Sequence, residues 1–425
     1  MNYYNYPQSG RLEEHTKRLS LKDILMVLMI VLGSMNIFEY GIHIVVLFFL
    51  LYFISAGRIH YTEALFAPAL MTFSLLFFWE DSLNGPTTIV KSLVWPMAFL
   101  LGYEATNMET WDEVGAQQTE KKVNRYILLV AIGFFAHFAL NFYFNMGETY
   151  LGRNTKDVWS KEVRAATGQA ALACIPLGWS IASFMNNTGI RKRIPALIVI
   201  AIVLMYNLVL STRTLFLMLL IITLVAVLYL VFAANKSKKK LYVVLAVLVV
   251  LAFVVIGYRN NLFNMKEQFD SSEFHSRFYG KNSEDISEDG RLDRKRKYLE
   301  RMPLNLWGGG HIRRYTGSYA HDLLLDLYDD AGILALIAAV MMVVGSVVVL
   351  VRLLKNGHVK FETRMMLLCV FMAMYMEFMV EPIFIGAPDL LMMFCFLYGV
   401  TTRMDKNLRL LHRMNFEATE KGSQL

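Results

Sequence analysis

The sequence predicts an all-α integral membrane protein, and three observations predict it. Hydrophobic residues make up 56% of the 425 residues. They gather into separate apolar runs of about 20, the length needed to cross hydrocarbon as a helix. Short loops with clustered Lys and Arg alternate with other loops in step with those runs, as the positive-inside bias requires of a multi-pass chain.

Apolar windows of about 20 residues give roughly twelve spans. Residues 1–20 are polar and Tyr-rich and lack the small-residue cleavage site of a secretory signal, so they read as a cytoplasmic tail and the first helix is expected to persist. Residues 21–257 form a membrane domain of the first nine helices, at 21–38, 41–56, 62–79, 87–107, 124–144, 167–185, 194–210, 214–233 and 241–257. The fourth contains Pro96 and Glu104. Residues 258–320 form one large loop between the ninth and tenth helices. Residues 321–402 hold the last three, at 321–351, 364–380 and 385–402, and the final one contains Pro388 and Asp389. Residues 403–425 are a second tail.

Placing the N-terminus in the cytoplasm puts Lys121, Lys122 and Arg125 inside, with Arg191, Lys192 and Arg193, then Lys236, Lys238, Lys239 and Lys240. Arg352, Lys355, Lys360 and Arg364 follow, and the tail carries Arg403, Lys406, Arg409 and Arg413. Every strongly basic short loop falls on one side. Both termini are therefore expected inside, and the loop 258–320 outside, since long loops translocate largely regardless of charge. A second outer loop, 145–166, carries Arg153, Lys156, Lys161 and Arg164.

The formal charge of +7 does not argue for nucleic acid, because much of the excess sits in short inter-helix loops. Cys174, Cys369 and Cys395 fall inside apolar runs and form neither a disulfide framework nor a metal-ligand spacing. Walker loops, dinucleotide fingerprints and internal repeats are absent from the sequence. ATP-driven chemistry lacks support.

Candidate chemistry concentrates between Gly290 and Ile333, where an arginine-rich soluble segment becomes a membrane helix. Residues 291–302 read as a short helix stopped by Pro303. Arg291, Arg294, Tyr298 and Arg301 share one face, and Leu292, Leu299 and Met302 the next. Guanidinium forks hold phosphate oxygens in pairs, so this face suits a diphosphate. The same spacing also serves a helix that lies on lipid headgroups. Gly308, Gly309 and Gly310 either bring backbone N–H groups to an anion or form a turn.

His321 stands at the outer mouth of the tenth helix, where an imidazole can take a hydroxyl proton or assist a departing phosphate, or can simply anchor at the interface. Asp322, Asp326, Asp329 and Asp330 share a face of the helix that follows. Ionisable groups there are costly unless paired or turned to an aqueous cavity. They either neutralise the arginines of the loop or bind sugar hydroxyls and orient His321. Arg213, in the turn Ser211–Thr214 at the outer ends of two apolar spans, either reaches a lipid diphosphate or snorkels. Lys91, Glu377 and Glu381 are expected near the same surface.

These segments resemble the O-antigen polymerase and O-antigen ligase superfamily of membrane glycosyltransferases. The likeness lies in Gly290 with Arg291, Pro303, the run Gly308 to Gly310, His321, and Gly332 with Ile333, in that order, and in the turn Thr212 and Arg213. It covers about a tenth of the chain, with hydropathy layout agreeing over much of the rest. Asp322 stands where such proteins commonly have Asn, so a donor gives way to an acceptor-only carboxylate.

The resemblance implies inverting transfer of a glycan, such as O-antigen, capsule or exopolysaccharide, from undecaprenyl diphosphate at the outer face of a bacterial cytoplasmic membrane. It implies no cofactor, nucleotide sugar or essential metal. Arg213 and Arg291 would hold the diphosphate and His321 would serve the proton transfer, with Arg294, Tyr298, Asp322 and Lys91 as further substrate contacts. Membrane lipid, a chain-length regulator and a flippase are the implied partners. A polymerase is expected, the acceptor being another lipid-linked repeat unit; an O-antigen ligase, a lipid-linked oligosaccharide flippase and a membrane acyltransferase are the competing readings.

Overall fold

The computed structural model describes residues 21–56, 60–79, 86–108, 110–146, 154–186, 189–210, 212–233, 259 and 291–422. The tail 1–20, the apolar run 241–257 and residues 260–290 of the large loop lie outside the described residues.

Helices dominate the described chain. The first group is α1 (Leu21–Ser34), α2 (Gly41–Ala56), α3 (Phe66–Phe78), α4 (Pro86–Ala105), α5 (Glu113–Phe144), α6 (Ala166–Asn186), α7 (Ile190–Leu210) and α8 (Arg213–Ala233). The second is α9 (Arg291–Arg301), α10 (His311–Thr316), α11 (Leu323–Lys355), α12 (Phe361–Val380), α13 (Ile383–Gly386) and α14 (Pro388–Gly422). A short antiparallel hairpin, β1 (Asn154–Lys156) and β2 (Val163–Ala165), follows α5, with Thr155 opposite Arg164. Among the described residues, 5 helices are long and apolar enough to cross a membrane: α5, α6, most of α8, α11 and α12. This is the make-up of an all-α membrane protein.

Hydropathy marks where hydrocarbon ends, and two helices run well past it. α5 starts at Glu113, earlier than the apolar run at 124, because Asp112 caps it by accepting from Gly115 N at 2.7 Å. α14 continues beyond residue 402 with Arg403, Asp405 and Asn407 buried. Those groups are partnered: Arg403 donates to Asn107 and Asn407 donates to the Thr106 carbonyl at 3.2 Å. Gly102 of α4 and Gly399 of α14 let these two helices cross so closely that a Cβ on either would run into the opposite backbone.

The polar segments sort to two ends of the bundle. At one end Glu120 accepts from Lys360 N at 2.9 Å and from Thr363 Oγ1 at 2.6 Å, and Asp405 pairs with Arg352 at 3.7 Å. The basic segments at 121–125, 352–364 and 403–409 therefore share that end. The hairpin, the turn before α11 and the break between α12 and α14 meet at the other, around a single cavity.

α11 is kinked at Gly332, whose φ of 81° is open only to glycine without strain. The kink frees carbonyls, and the glycine run crosses it to take them up. Gly309 N donates to Asp330 O at 3.1 Å, Gly310 N to Asp329 O at 2.8 Å, and Ile333 N to Leu306 O at 2.9 Å. The run Gly308 to Gly310 is thus a turn that splices the soluble segment onto a broken helix, and all three of its N–H groups are committed to backbone carbonyls, Gly308 N to Asn305 O at 3.4 Å.

Candidate functional site

His321 sits in the turn between α10 and α11 with φ at 58°, a left-handed conformation that a histidine rarely adopts. Asp326, one turn into α11, holds it there. Its carboxylate accepts from Ala320 N at 2.7 Å and from Asp322 N at 3.1 Å, one N–H on each side of the histidine. Asp322 caps α11 by accepting from Leu324 N at 3.1 Å and Leu325 N at 3.4 Å, and it pairs with Lys295 of α9 at 3.0 Å. Lys295 also donates to the Met379 carbonyl at 2.8 Å, so α9 is laced to both the histidine turn and the end of α12.

The turn presents His321 to a cavity of about 780 Å3. Lys91 from α4, Arg164 from β2, Glu381 at the end of α12 and Asp389 at the start of α14 line it as well. Glu381 Oε2 lies 3.8 Å from His321 Nδ1, which is itself buried. The break at α13, where Pro382 and Pro388 flank four helical residues, is what turns Glu381 and Asp389 toward one space.

Arg164 is set by the hairpin. Thr155, opposite it in the ladder, is buried, and Asp157 at the turn lies 3.3 Å from Arg164 Nε. Asp157 also faces His137 Nε2 at 2.9 Å and Asn141 Nδ2 at 3.3 Å on α5, and takes Trp159 N at 2.9 Å. Burial pushes the Asp157 carboxyl up, but the His137 hydrogen bond, the charges of Arg164 and His137, and the Trp159 N–H outweigh it and hold the group well below the usual carboxylate range. An ionised, buried Asp157 therefore fixes the guanidinium at the cavity wall.

The sequence-expected residues fall into three groups. His321 and Lys91 come together on the cavity. Arg213 and Arg291 begin α8 and α9, and Arg291 opens its helix one turn before Lys295; their side chains lie outside the described residues. Arg294, Tyr298 and Asp322 are engaged with the chain itself. Arg294 donates to Ser318 Oγ at 3.1 Å, and Tyr298, fully buried, donates to the Ser318 carbonyl at 3.0 Å. Burial, then the charges of Asp329 and Asp326, push the Tyr298 hydroxyl far above its ordinary value, so it acts as a neutral donor. Arg301 stacks on Tyr315 with 3.2 Å from its guanidinium carbon to the ring centre. The arginine face of α9 thus binds the segment 311–318.

The four aspartates follow suit. Asp329 accepts from Ile312 N at 2.7 Å and Arg313 N at 2.8 Å, and Asp330 pairs with Arg313 at 3.0 Å. Each of the four fastens the soluble segment to the helix, and the carboxylate set against His321 is Glu381 instead of Asp322. Arg164 and Asp389 were not singled out from sequence as site residues. The available signal was His137 with Asn141, a helical turn apart inside an apolar run, which in hydrocarbon calls for a buried polar partner.

Chemically, the cavity offers an imidazole backed by a carboxylate, two cations and further carboxylates at the polar end of an apolar bundle. That set can hold an anion, move a proton and bind hydroxyls. No family model matches the chain, and no curated protein matches it either.

Proposed function

We propose that this chain is a multi-pass membrane glycosyltransferase of the O-antigen polymerase type. On this reading it has about twelve spans with both termini in the cytoplasm, and it transfers a glycan from undecaprenyl diphosphate to a lipid-linked repeat unit at the outer face of a bacterial cytoplasmic membrane. The observation that carries the reading is the meeting of His321, Lys91 and Arg164 on one cavity, at the end of the bundle away from the basic segments 121–125, 352–364 and 403–409. By the positive-inside bias that end faces outward, where lipid-linked repeat units are joined.

The acceptor hydroxyl oxygen attacks the anomeric carbon as the bond to the diphosphate oxygen breaks. The bonding pair leaves with the diphosphate and the hydroxyl proton passes to His321. Glu381 Oε2, 3.8 Å from Nδ1, stands where its charge can stabilise the imidazolium that forms. Lys91 and Arg164, with Arg213 and Arg291, take up the charge that grows on the leaving diphosphate, and cations already fixed in place do so with little reorganisation.

The test supplies purified lipid-linked repeat unit to the protein in liposomes, without nucleotide and with chelator. A glycan ladder is expected, and its loss in folded Arg213→Ala, Arg291→Ala and His321→Ala variants supports the roles assigned. An intact ladder in all three overturns them. Replacing the acceptor by a lipid A core separates polymerase from ligase. A flippase is the second reading, favoured by the buried carboxylates Glu377 and Asp389 in α12 and α14. Movement of the lipid-linked unit across the liposome without a ladder selects it.

A further inference from the structure

We propose that the rim of this cavity formed by Asn36, Phe38, Glu39 and Tyr40, with Glu162 of the hairpin, is a binding site for a neutral pyranose ring of the glycan. The inference rests on the proposed function for the identity of the ligand, and on geometry for the site.

The connection between α1 and α2 is strained where it meets the cavity. Asn36, Phe38 and Glu39 have φ of 47°, 49° and 65°, all in the left-handed region. Bulky residues held there are outliers, and such strain persists only where the surroundings impose it. The surroundings here do so. Asn36 Oδ1 accepts from Gly41 N at 3.0 Å, and Trp159 of the hairpin turn donates to the Met35 carbonyl at 3.3 Å while meeting the Phe38 ring edge-on at 5.1 Å.

The result is a pair of ring faces left open beside acceptors. Phe38 is 63% exposed and Tyr40 59%, yet both line the cavity together with Glu39 and Glu162. A pyranose has the complementary surface: axial C–H groups pack on an aromatic face, and equatorial hydroxyls donate to carboxylates. Asp389 adds an acceptor deeper in the same cavity, only 2% exposed and with no hydrogen-bond partner for Oδ2 among the described residues. A lipid phosphate would meet repulsion from Glu39 and Glu162, so this rim fits a hydroxyl-rich neutral ring better than a headgroup. The cations Lys91 and Arg164 and the base His321 are left for the diphosphate end of the substrate.

Saturation-transfer NMR on the full chain in lipid nanodiscs, with maltose, lactose and chitobiose as neutral probes and glucuronate as the acidic one, tests the site. Saturation transfer to at least one neutral disaccharide, and less to glucuronate, is expected. Phe38→Leu and Tyr40→Leu keep apolar bulk for any contact with lipid but remove the ring face. Each should weaken the sugar signal about threefold to tenfold, the scale of one lost aromatic contact. Glu39→Gln, which retains an acceptor oxygen, should weaken it less than Glu39→Ala. Absence of transfer to all three neutral sugars overturns the proposal, and so does a signal indifferent to both leucine variants. A wild-type protein that makes the glycan ladder but gives no such signal removes this inference and leaves the proposed reaction standing. Sugar binding without a ladder does the reverse.

Discussion

Asp326 reaches across the turn that carries His321 and takes a backbone N–H from each side of it, Ala320 at 2.7 Å and Asp322 at 3.1 Å. The carboxylate is buried, so its two charge-assisted bonds are not in competition with water. Asp326→Ala should therefore destabilise the protein by about 2–3 kcal/mol, the cost of leaving two buried donors without an acceptor. Chemical denaturation in mixed micelles measures it. Asp326→Asn, which keeps one acceptor oxygen but turns an amide N–H toward the other donor, should fall between wild type and alanine.

The conformation of His321 separates its structural from its chemical role. Glycine accepts a φ of 58° freely, whereas a β-branched side chain does not. His321→Gly should leave stability within about 1 kcal/mol of wild type or raise it, and His321→Val should lower it by about 1–2 kcal/mol. Both should abolish the glycan ladder on the proposed chemistry. A glycine variant as destabilised as the valine one would show that the turn is set by the imidazole's contacts and not by Asp326.

The left-handed glycine at the kink of α11 makes a sharper test of packing. A Cβ on Gly332 would lie 2.7 Å from the Leu306 carbonyl oxygen, against backbone that cannot move aside cheaply, at a φ of 81°. Gly332→Ala should cost about 2 kcal/mol or more, the left-handed penalty plus the overlap. Hydrogen exchange should rise at Gly309, Gly310 and Ile333, whose N–H groups bond across this junction. Protection unchanged at those amides would mean that the splice does not depend on the kink.

What the sequence made legible follows from what each signal measures. Hydropathy places α2 at Gly41–Ala56, where the apolar run is 41–56, because helix and hydrocarbon end together there. It misses the start of α5 and the end of α14, where the helix continues as a polar surface packed on its own loops. The sequence puts Lys91, Glu377 and Glu381 near the same surface as His321, and the cavity takes Lys91, Glu381 and His321 but not Glu377. The bond between His137 and Asp157 was not legible, since it exists only once the hairpin folds back on α5. Helical spacing put Arg294 and Tyr298 on one face, but spacing cannot say what covers that face. Here it is the segment 311–318 of the same chain.

Arg164 Nε lies 3.3 Å from Asp157, and the same residue lines the cavity. On the proposed chemistry Arg164→Ala should slow transfer about a hundredfold, the usual loss when one preorganised donor is removed from developing negative charge. Arg164→Lys should recover only part of that, because a lysine keeps the charge but cannot face Asp157 and a phosphate at once. Ladder formation at saturating donor is the measurement. Equal rates for arginine and lysine would reduce Arg164 to a point charge.

Asp157 gives the pH test. Its folded-state value is depressed below the ordinary 3.8 because His137, Arg164 and the Trp159 N–H all favour the carboxylate over the opposing effect of burial. A depressed carboxylate contributes stability that is fully present above its unfolded value and is lost as pH falls through the folded one. The difference in unfolding free energy between wild type and Asp157→Asn should therefore be level around pH 5, then shrink as the pH drops below the ordinary carboxylate range. The level part should be about 2 kcal/mol or more, since the asparagine can no longer offer charge to the half-buried guanidinium. A gap that closes near neutral pH would overturn the assignment, for it would mean that Asp157 takes up its proton in the folded protein and that Arg164 is held by something else.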